Sequence, residues 1–139
     1  KREKTQYKNL KYKKILFQLK KIDNSKSDIG LIYKKKILET GTSNLLFFKG
    51  KEIYIPKKNY YEGNTYKFFK TKIKKIIKKN IFINELKSYD EILLVGSGKG
   101  VASVKTIKEI GWERKSFNNF KIFTKFYHSA MKNCNLHKF

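Results

Sequence analysis

The stretch EILLVGSGKGVASV, from Glu91 to Val104, sets glycines, a serine and a lysine between two apolar runs. Backbone N–H groups freed by glycines, a hydroxyl and an ammonium are the groups that hold a phosphate. Two standard nucleotide modes fail here. A P-loop needs a glycine five residues ahead of Gly98 and a hydroxyl residue after the lysine. The chain has Leu93 and Gly100 in those places. A dinucleotide-binding turn opens a helix, whereas VASVKTI reads as a strand. What remains is a nest for an anion with Ser97 adding its hydroxyl, or a plain hairpin turn.

A second anion candidate is EGNTY. Gly63, Asn64 and Thr65 stand where a helix begins, and the unpaired N–H groups and positive dipole end of a helix point there. Its bland counterpart is an ordinary helix cap. His128 and His137 lie nine residues apart and lack metal-ligand spacing. Cys134 has no histidine or aspartate near in sequence that would make it a nucleophile.

The elements that must position these groups are legible as alternating patterns. NLKYKKILFQLKKID puts Tyr12, Ile15, Leu16 and Leu19 on one helical face. The region from Ile29 to Pro56 reads as short strands, broken at the lysine cluster, at TGTS and at KGKE. TYKFFKTKIKKIIKKN reads as a helix with Phe69, Ile73, Ile76 and Ile77 on one side and Asn64 as its N-cap. IFINEL, EILLV and VASVKTI read as further strands. SFNNFKIFTKFYHSAMK closes the chain as a helix, with Phe120, Phe123, Tyr127 and Met131 as its apolar stripe and Ser116 as its cap. The alternation predicts an α/β domain, bordering on α+β.

Composition narrows the partners. The 139 residues make one domain, and 40% hydrophobic content suffices for a core. One cysteine excludes an internal disulfide. No apolar run approaches the ~20 residues of a membrane helix. The formal charge of +23 invites a nucleic-acid reading, but only Arg2 and Arg114 are arginines among 34 basic residues. Recognition of bases and phosphates favours the arginine fork, and the lysines are scattered through the whole chain. A nucleic-acid partner is therefore disfavoured against A/T-rich codon usage, which enriches Lys, Asn, Ile, Phe and Tyr together.

Read in order, four segments resemble the fold-type IV, class IV pyridoxal-phosphate enzymes. Lys4–Thr5 opens a helix, as the lysine of that family does. ETGTSNLLFF from Glu39 is similar to the family's E-x-x-x-[SE]-N-[IL]-F strand. IYIPKKNYYEGNTYKFF is similar to its L-x-G-x-T-R segment, with Tyr66 where the family has arginine. EILLVGSGKGVASV is similar to its GTA-x-x-x-x-P-V loop, with Ser103 in place of the proline.

The resemblance implies the C-terminal cofactor-binding domain of a D-amino-acid aminotransferase-like fold over residues 1–139, without the family's smaller N-terminal domain. It implies pyridoxal 5'-phosphate as cofactor, with Lys4 as its covalent attachment point and as the general acid and base. Glu39 would pair with the pyridine nitrogen. Gly63, Asn64, Thr65 and Ser97 would bind the phosphate, and Gly98 and Lys99 would face the substrate. Apart from the resemblance, Lys4 and Glu39 read as surface charges.

Branched-chain aminotransferases place a tyrosine where this chain has Asn9. The Lys4–Thr5 start and that missing tyrosine favour 4-amino-4-deoxychorismate lyase, which makes 4-aminobenzoate and pyruvate for folate synthesis. Branched-chain or D-amino-acid aminotransfer is the alternative, and a basic nucleic-acid-binding domain the non-enzymatic one. The resemblance also implies a homodimer and a cytoplasmic or organellar enzyme, with an isolated domain that binds cofactor poorly.

Overall fold

A computed structural model describes residues 13–133. Three helices and ten strands follow one another: α1 (Lys13–Leu19), β1 (Gly30–Tyr33), β2 (Lys36–Thr40), β3 (Asn44–Lys49), β4 (Glu52–Pro56), α2 (Asn64–Lys72), β5 (Ile77–Lys79), β6 (Ile81–Phe82), β7 (Glu91–Gly96), β8 (Gly100–Ser103), β9 (Thr106–Ile107), β10 (Trp112–Glu113) and α3 (Asn118–Lys132). The main sheet runs β5-β4-β3-β7-β8, antiparallel except where β5 pairs parallel with β4. A smaller sheet runs β1-β2-β6, and β9 and β10 form a short ladder.

Both faces of the main sheet are buried at its central strands, which is why LLFF of β3 and ILLV of β7 are unbroken apolar runs. Leu46, Phe48, Leu93 and Val95 point to one face and pack with Tyr66 and Phe69 of α2 and Phe123 of α3. Leu45, Phe47, Ile92 and Leu94 point to the other, against Ile37, Ile81, Leu86, Tyr89 and Trp112. The result is a mixed α/β layer structure of helices, main sheet and small sheet, as the alternating pattern predicts.

The differences from the sequence reading are local. The helix expected through Asn80 ends at Lys72, because β5 leaves it to pair with β4. Ile73 and Ile76 still pack on the core, but from the chain that follows the helix. Asn64 is the first helical residue rather than the cap; Gly63 takes the cap position. IFINEL is strand only at Ile81–Phe82 and then a 3-10 helix, Ile83–Ser88. On α1, Leu19 is buried whereas Leu16 is exposed, and Tyr12 lies outside the described residues. On α3, Met131 is exposed, so the buried stripe stops at Tyr127. Ser116 does not cap α3 in the usual sense. Glu91, fully buried on β7, accepts the N–H of Asn119 (3.0 Å) and of Phe120 (2.7 Å).

Strand directions fix where the chemistry collects. β3 begins, and β2, β4 and β7 end, at one edge of the sheet layer: Asn44 pairs with Val95, and the turn at 41–43 joins β2 to β3. α2 starts at that same edge, after β4.

Candidate active site

Asn44 is the centre of that edge. Its side-chain amide donates to the Tyr61 carbonyl (2.5 Å), and its Oδ1 accepts the Gly63 N–H (3.0 Å). Those two bonds fasten the approach to α2 onto the first residue of β3. Glu39, buried at the end of β2, accepts the Tyr61 N–H through Oε2 at 3.3 Å. The Glu39 carboxylate and the start of α2 are thus held by neighbouring atoms of one segment.

The start of α2 carries no side-chain cap. Gly63 takes the cap position with extended backbone and, lacking a side chain, offers the first-turn N–H groups no acceptor, and the first turn carries no acidic residue. The N–H groups of the first turn have no intrahelical acceptor, and the dipole adds positive potential there. Thr65 is buried and Asn64 is exposed. The nearest acid, Glu62, is drawn away: its carboxylate receives the Lys70 ammonium at 2.8 Å. Partial burial pushes Glu62 up, but the Lys70 bond and charge outweigh it and hold the group below the usual carboxylate range. Tyr66 follows Thr65. Burial, and then the Tyr60 hydroxyl at 3.1 Å, push its phenol well above the ordinary tyrosine value, so it stays neutral.

The GSGKG stretch is the tip of the β7–β8 hairpin, with Gly96 opposite Gly100. A Cβ on Gly96 would lie 3.0 Å from Ser43 Oγ and 3.1 Å from the Thr42 carbonyl, so the hairpin sits directly on the β2–β3 turn. Gly100 has φ +64, and a Cβ there would meet Tyr127 at 2.9 Å. Ser97 and Gly98, between these two anchored glycines, are exposed, and a Cβ on Gly98 would meet nothing within 4 Å. The Lys99 ammonium lies 3.2 Å from Asp28 and is engaged there.

The structure therefore brings Glu39, Gly63, Asn64, Thr65, Ser97, Gly98 and Lys99 to one edge. Gly63 enters through its N–H bond to Asn44. Lys4 lies outside the described residues. Sequence reasoning gave no role to Asn44, Thr40, Ser43 or Asp28. Asn44 was nonetheless visible, as the asparagine that follows Ser43 in ETGTSN.

Among known proteins, no curated sequence matches the chain. Solved structures do. The 4-amino-4-deoxychorismate lyase of Pseudomonas aeruginosa aligns with TM-score 0.68 at 16% identity, over 88% of this chain and 46% of that one. An aminotransferase of Brucella abortus bound to pyridoxal phosphate aligns with TM-score 0.68 at 18% identity, over 86% of this chain and 45% of that one. The pyridoxal-phosphate form of the branched-chain amino acid aminotransferase of Thermobaculum terrenum aligns with TM-score 0.62 at 13% identity, over 70% and 34%. The chain spans about half the length of these structures or less. The family model for amino-transferase class IV matches residues 1–107. That match takes in Lys4, the Glu39 strand, the Gly63–Thr65 helix start and the Ser97 hairpin, and the chain belongs to the class IV aminotransferase family.

Proposed function

We propose that this chain is the cofactor-binding part of a pyridoxal-phosphate enzyme, and that its reaction is that of a 4-amino-4-deoxychorismate lyase. The observation that carries the cofactor reading is the meeting of a buried carboxylate, an uncapped helix start and a serine hairpin at one edge of the sheet. The donor set fits the cofactor: N–H groups and hydroxyls for a phosphate at one place, and a carboxylate for a pyridinium nitrogen at another.

When bound, pyridoxal phosphate supplies a ring that withdraws electrons from the carbon next to the substrate nitrogen. Glu39, shielded from water, would hold a proton on the ring nitrogen and so keep that pull strong. The N–H groups of Asn64 and Thr65, with the Thr65 and Ser97 hydroxyls, would grip the phosphate. Gly63 serves this grip through Asn44, which fixes the helix start. Lys4 would carry the cofactor between turnovers, take a proton from the substrate carbon and return it later. Gly98, without side chain, would leave room on the substrate side next to Lys99.

The Lys4–Thr5 start and Asn9 support lyase over branched-chain aminotransferase. The fold likeness supports both, since each activity is represented among the similar structures. The deciding assay uses the full-length protein with pyridoxal phosphate and 4-amino-4-deoxychorismate. Formation of 4-aminobenzoate and pyruvate in equal amounts supports the lyase. A 2-oxo acid formed from an amino acid only when an amino acceptor is present would replace it with the aminotransferase reading.

A further inference from the structure

Asp28 lies outside the motifs that carry the family likeness, yet it is a heavily bonded carboxylate near the site. Its side chain is 4% exposed. Oδ1 accepts the Ile29 N–H at 2.8 Å. Oδ2 accepts the Thr40 hydroxyl at 2.8 Å, the Thr42 hydroxyl and the Lys99 ammonium at 3.2 Å. A buried carboxylate is costly unless such partners replace its water, and here four donors do. Three separate segments converge on it: the chain leading into β1, the turn that links Glu39 to Asn44, and the hairpin tip. Lys99 is 71 residues away in sequence, so this is a long-range tie.

The hairpin tip is held at three points. Gly96 rests on Thr42 and Ser43, Gly100 on Tyr127, and Lys99 on Asp28. Ser97 and Gly98 are left facing out.

We propose that Asp28 and Lys99 are positioning residues for the cofactor phosphate: their ion pair locks the hairpin onto the β2–β3 turn so that Ser97 presents its hydroxyl and N–H at a fixed distance from the start of α2. The proposal rests on the reading of Ser97 as a phosphate ligand. It gives Lys99 a role through Asp28, in contrast to a direct attraction between its charge and a ligand.

The test compares Asp28→Ala, Lys99→Met and the double variant in the full-length protein, with circular dichroism confirming the fold. Asp28→Asn, which keeps one acceptor oxygen for the Thr40 and Thr42 hydroxyls, loses the charge that holds Lys99 and turns its NH2 toward the Ile29 N–H, stands in should Asp28→Ala not fold. Dissociation constants are measured for pyridoxal phosphate and for pyridoxal, which lacks the phosphate. Each single variant weakens pyridoxal phosphate about tenfold, the middle of the coupling range of contacting residues, and the double variant is no weaker than either. Pyridoxal binding is unchanged. Without cofactor, the backbone amides of Ser97 and Gly98 lose order in the variants by heteronuclear relaxation. Unchanged or tighter pyridoxal-phosphate binding by Asp28→Ala overturns the proposal, because a freed Lys99 would then be acting directly. Unchanged amide order overturns it as well. Failure of the unaltered protein to bind pyridoxal phosphate would instead overturn the functional reading, and the relaxation measurement alone would decide whether the pair fixes the hairpin.

Discussion

Asn44→Ala removes one side chain and disconnects two segments. The amide is 5% exposed and makes two bonds, one as donor to Tyr61 and one as acceptor from Gly63. A net hydrogen bond is worth about 1 kcal/mol, and leaving a partly buried partner unmet adds to that. Tyr61 and Gly63 are only half-buried, so water can reach them once the side chain is gone. Two bonds then give a loss of about 2–3 kcal/mol in folding free energy. Asn44→Asp is the informative companion. It keeps the acceptor for Gly63, sets an oxygen against the Tyr61 carbonyl, and brings a negative charge to the helix start. That charge is buried with one N–H donor, against a carbonyl and beside Glu39, which the helix dipole offsets only in part, so stability falls by at least as much, about 3 kcal/mol. The same charge repels a phosphate, so pyridoxal-phosphate affinity falls further than in Asn44→Ala. Urea denaturation followed by circular dichroism reads the first quantity, and titration by visible absorbance the second. Stability of Asn44→Ala within about 0.5 kcal/mol of the unaltered protein would refute the reasoning, since that is the range of ordinary surface substitutions.

Glu39→Gln should leave folding intact and lower turnover by at least tenfold, seen in product formation at saturating cofactor, because an amide cannot hold the ring proton as a carboxylate does. Glu91→Ala should cost about 3 kcal/mol in urea denaturation, through two charge-assisted bonds to α3 lost from a fully buried site, and Glu91→Gln about half of that. Gly96→Ala should cost about 1–3 kcal/mol by the same measurement, since the added methyl meets the Thr42 backbone and Ser43. Glu62, with its folded value depressed by Lys70, supports the fold above the ordinary glutamate range and loses that support as pH falls through the folded value. Lys70→Met should move the Glu62 titration, followed by carbon NMR, upward.

How much was legible depended on where the information lies. The two central strands were plain, because burial on both faces makes β3 apolar from Leu45 to Phe48 and β7 from Ile92 to Val95. The β1–β2 turn was marked only as a lysine cluster. Lys34 and Lys35 both have positive φ there, a conformation that asparagine and glycine usually announce. The end of α2 was misread because Ile73 and Ile76 keep helical spacing while packing from extended chain. Pairing with β4 outweighs local periodicity, and no local pattern encodes a parallel partner. At the site, single residues with distinctive neighbours stood out: Glu39, Thr65, Ser97. The residues that hold them did not. Asp28 and Asn44 act through partners 12 to 71 and 17 to 19 positions away, which only the folded chain reveals.

The parallel pairing of β4 with β5 has a consequence for how this protein can change over generations. Because α2 carries the chain back between two strands that run the same way, the sheet has two unlike rims. One rim gathers the turn at 41–43, the stretch at 57–63 and the hairpin tip at 97–99. The opposite rim holds the Gly50–Lys51 turn and the stretch at 73–76. Insertions at the second rim would lengthen loops that lie away from the proposed site. Insertions at the first would remodel the proposed site while leaving the strands beneath untouched. Moreover, the grip proposed at the start of α2 would draw partly on main-chain amides, which every residue except proline supplies. Such a scaffold can shed most of its sequence identity and exchange one substrate for another without relearning how to fold.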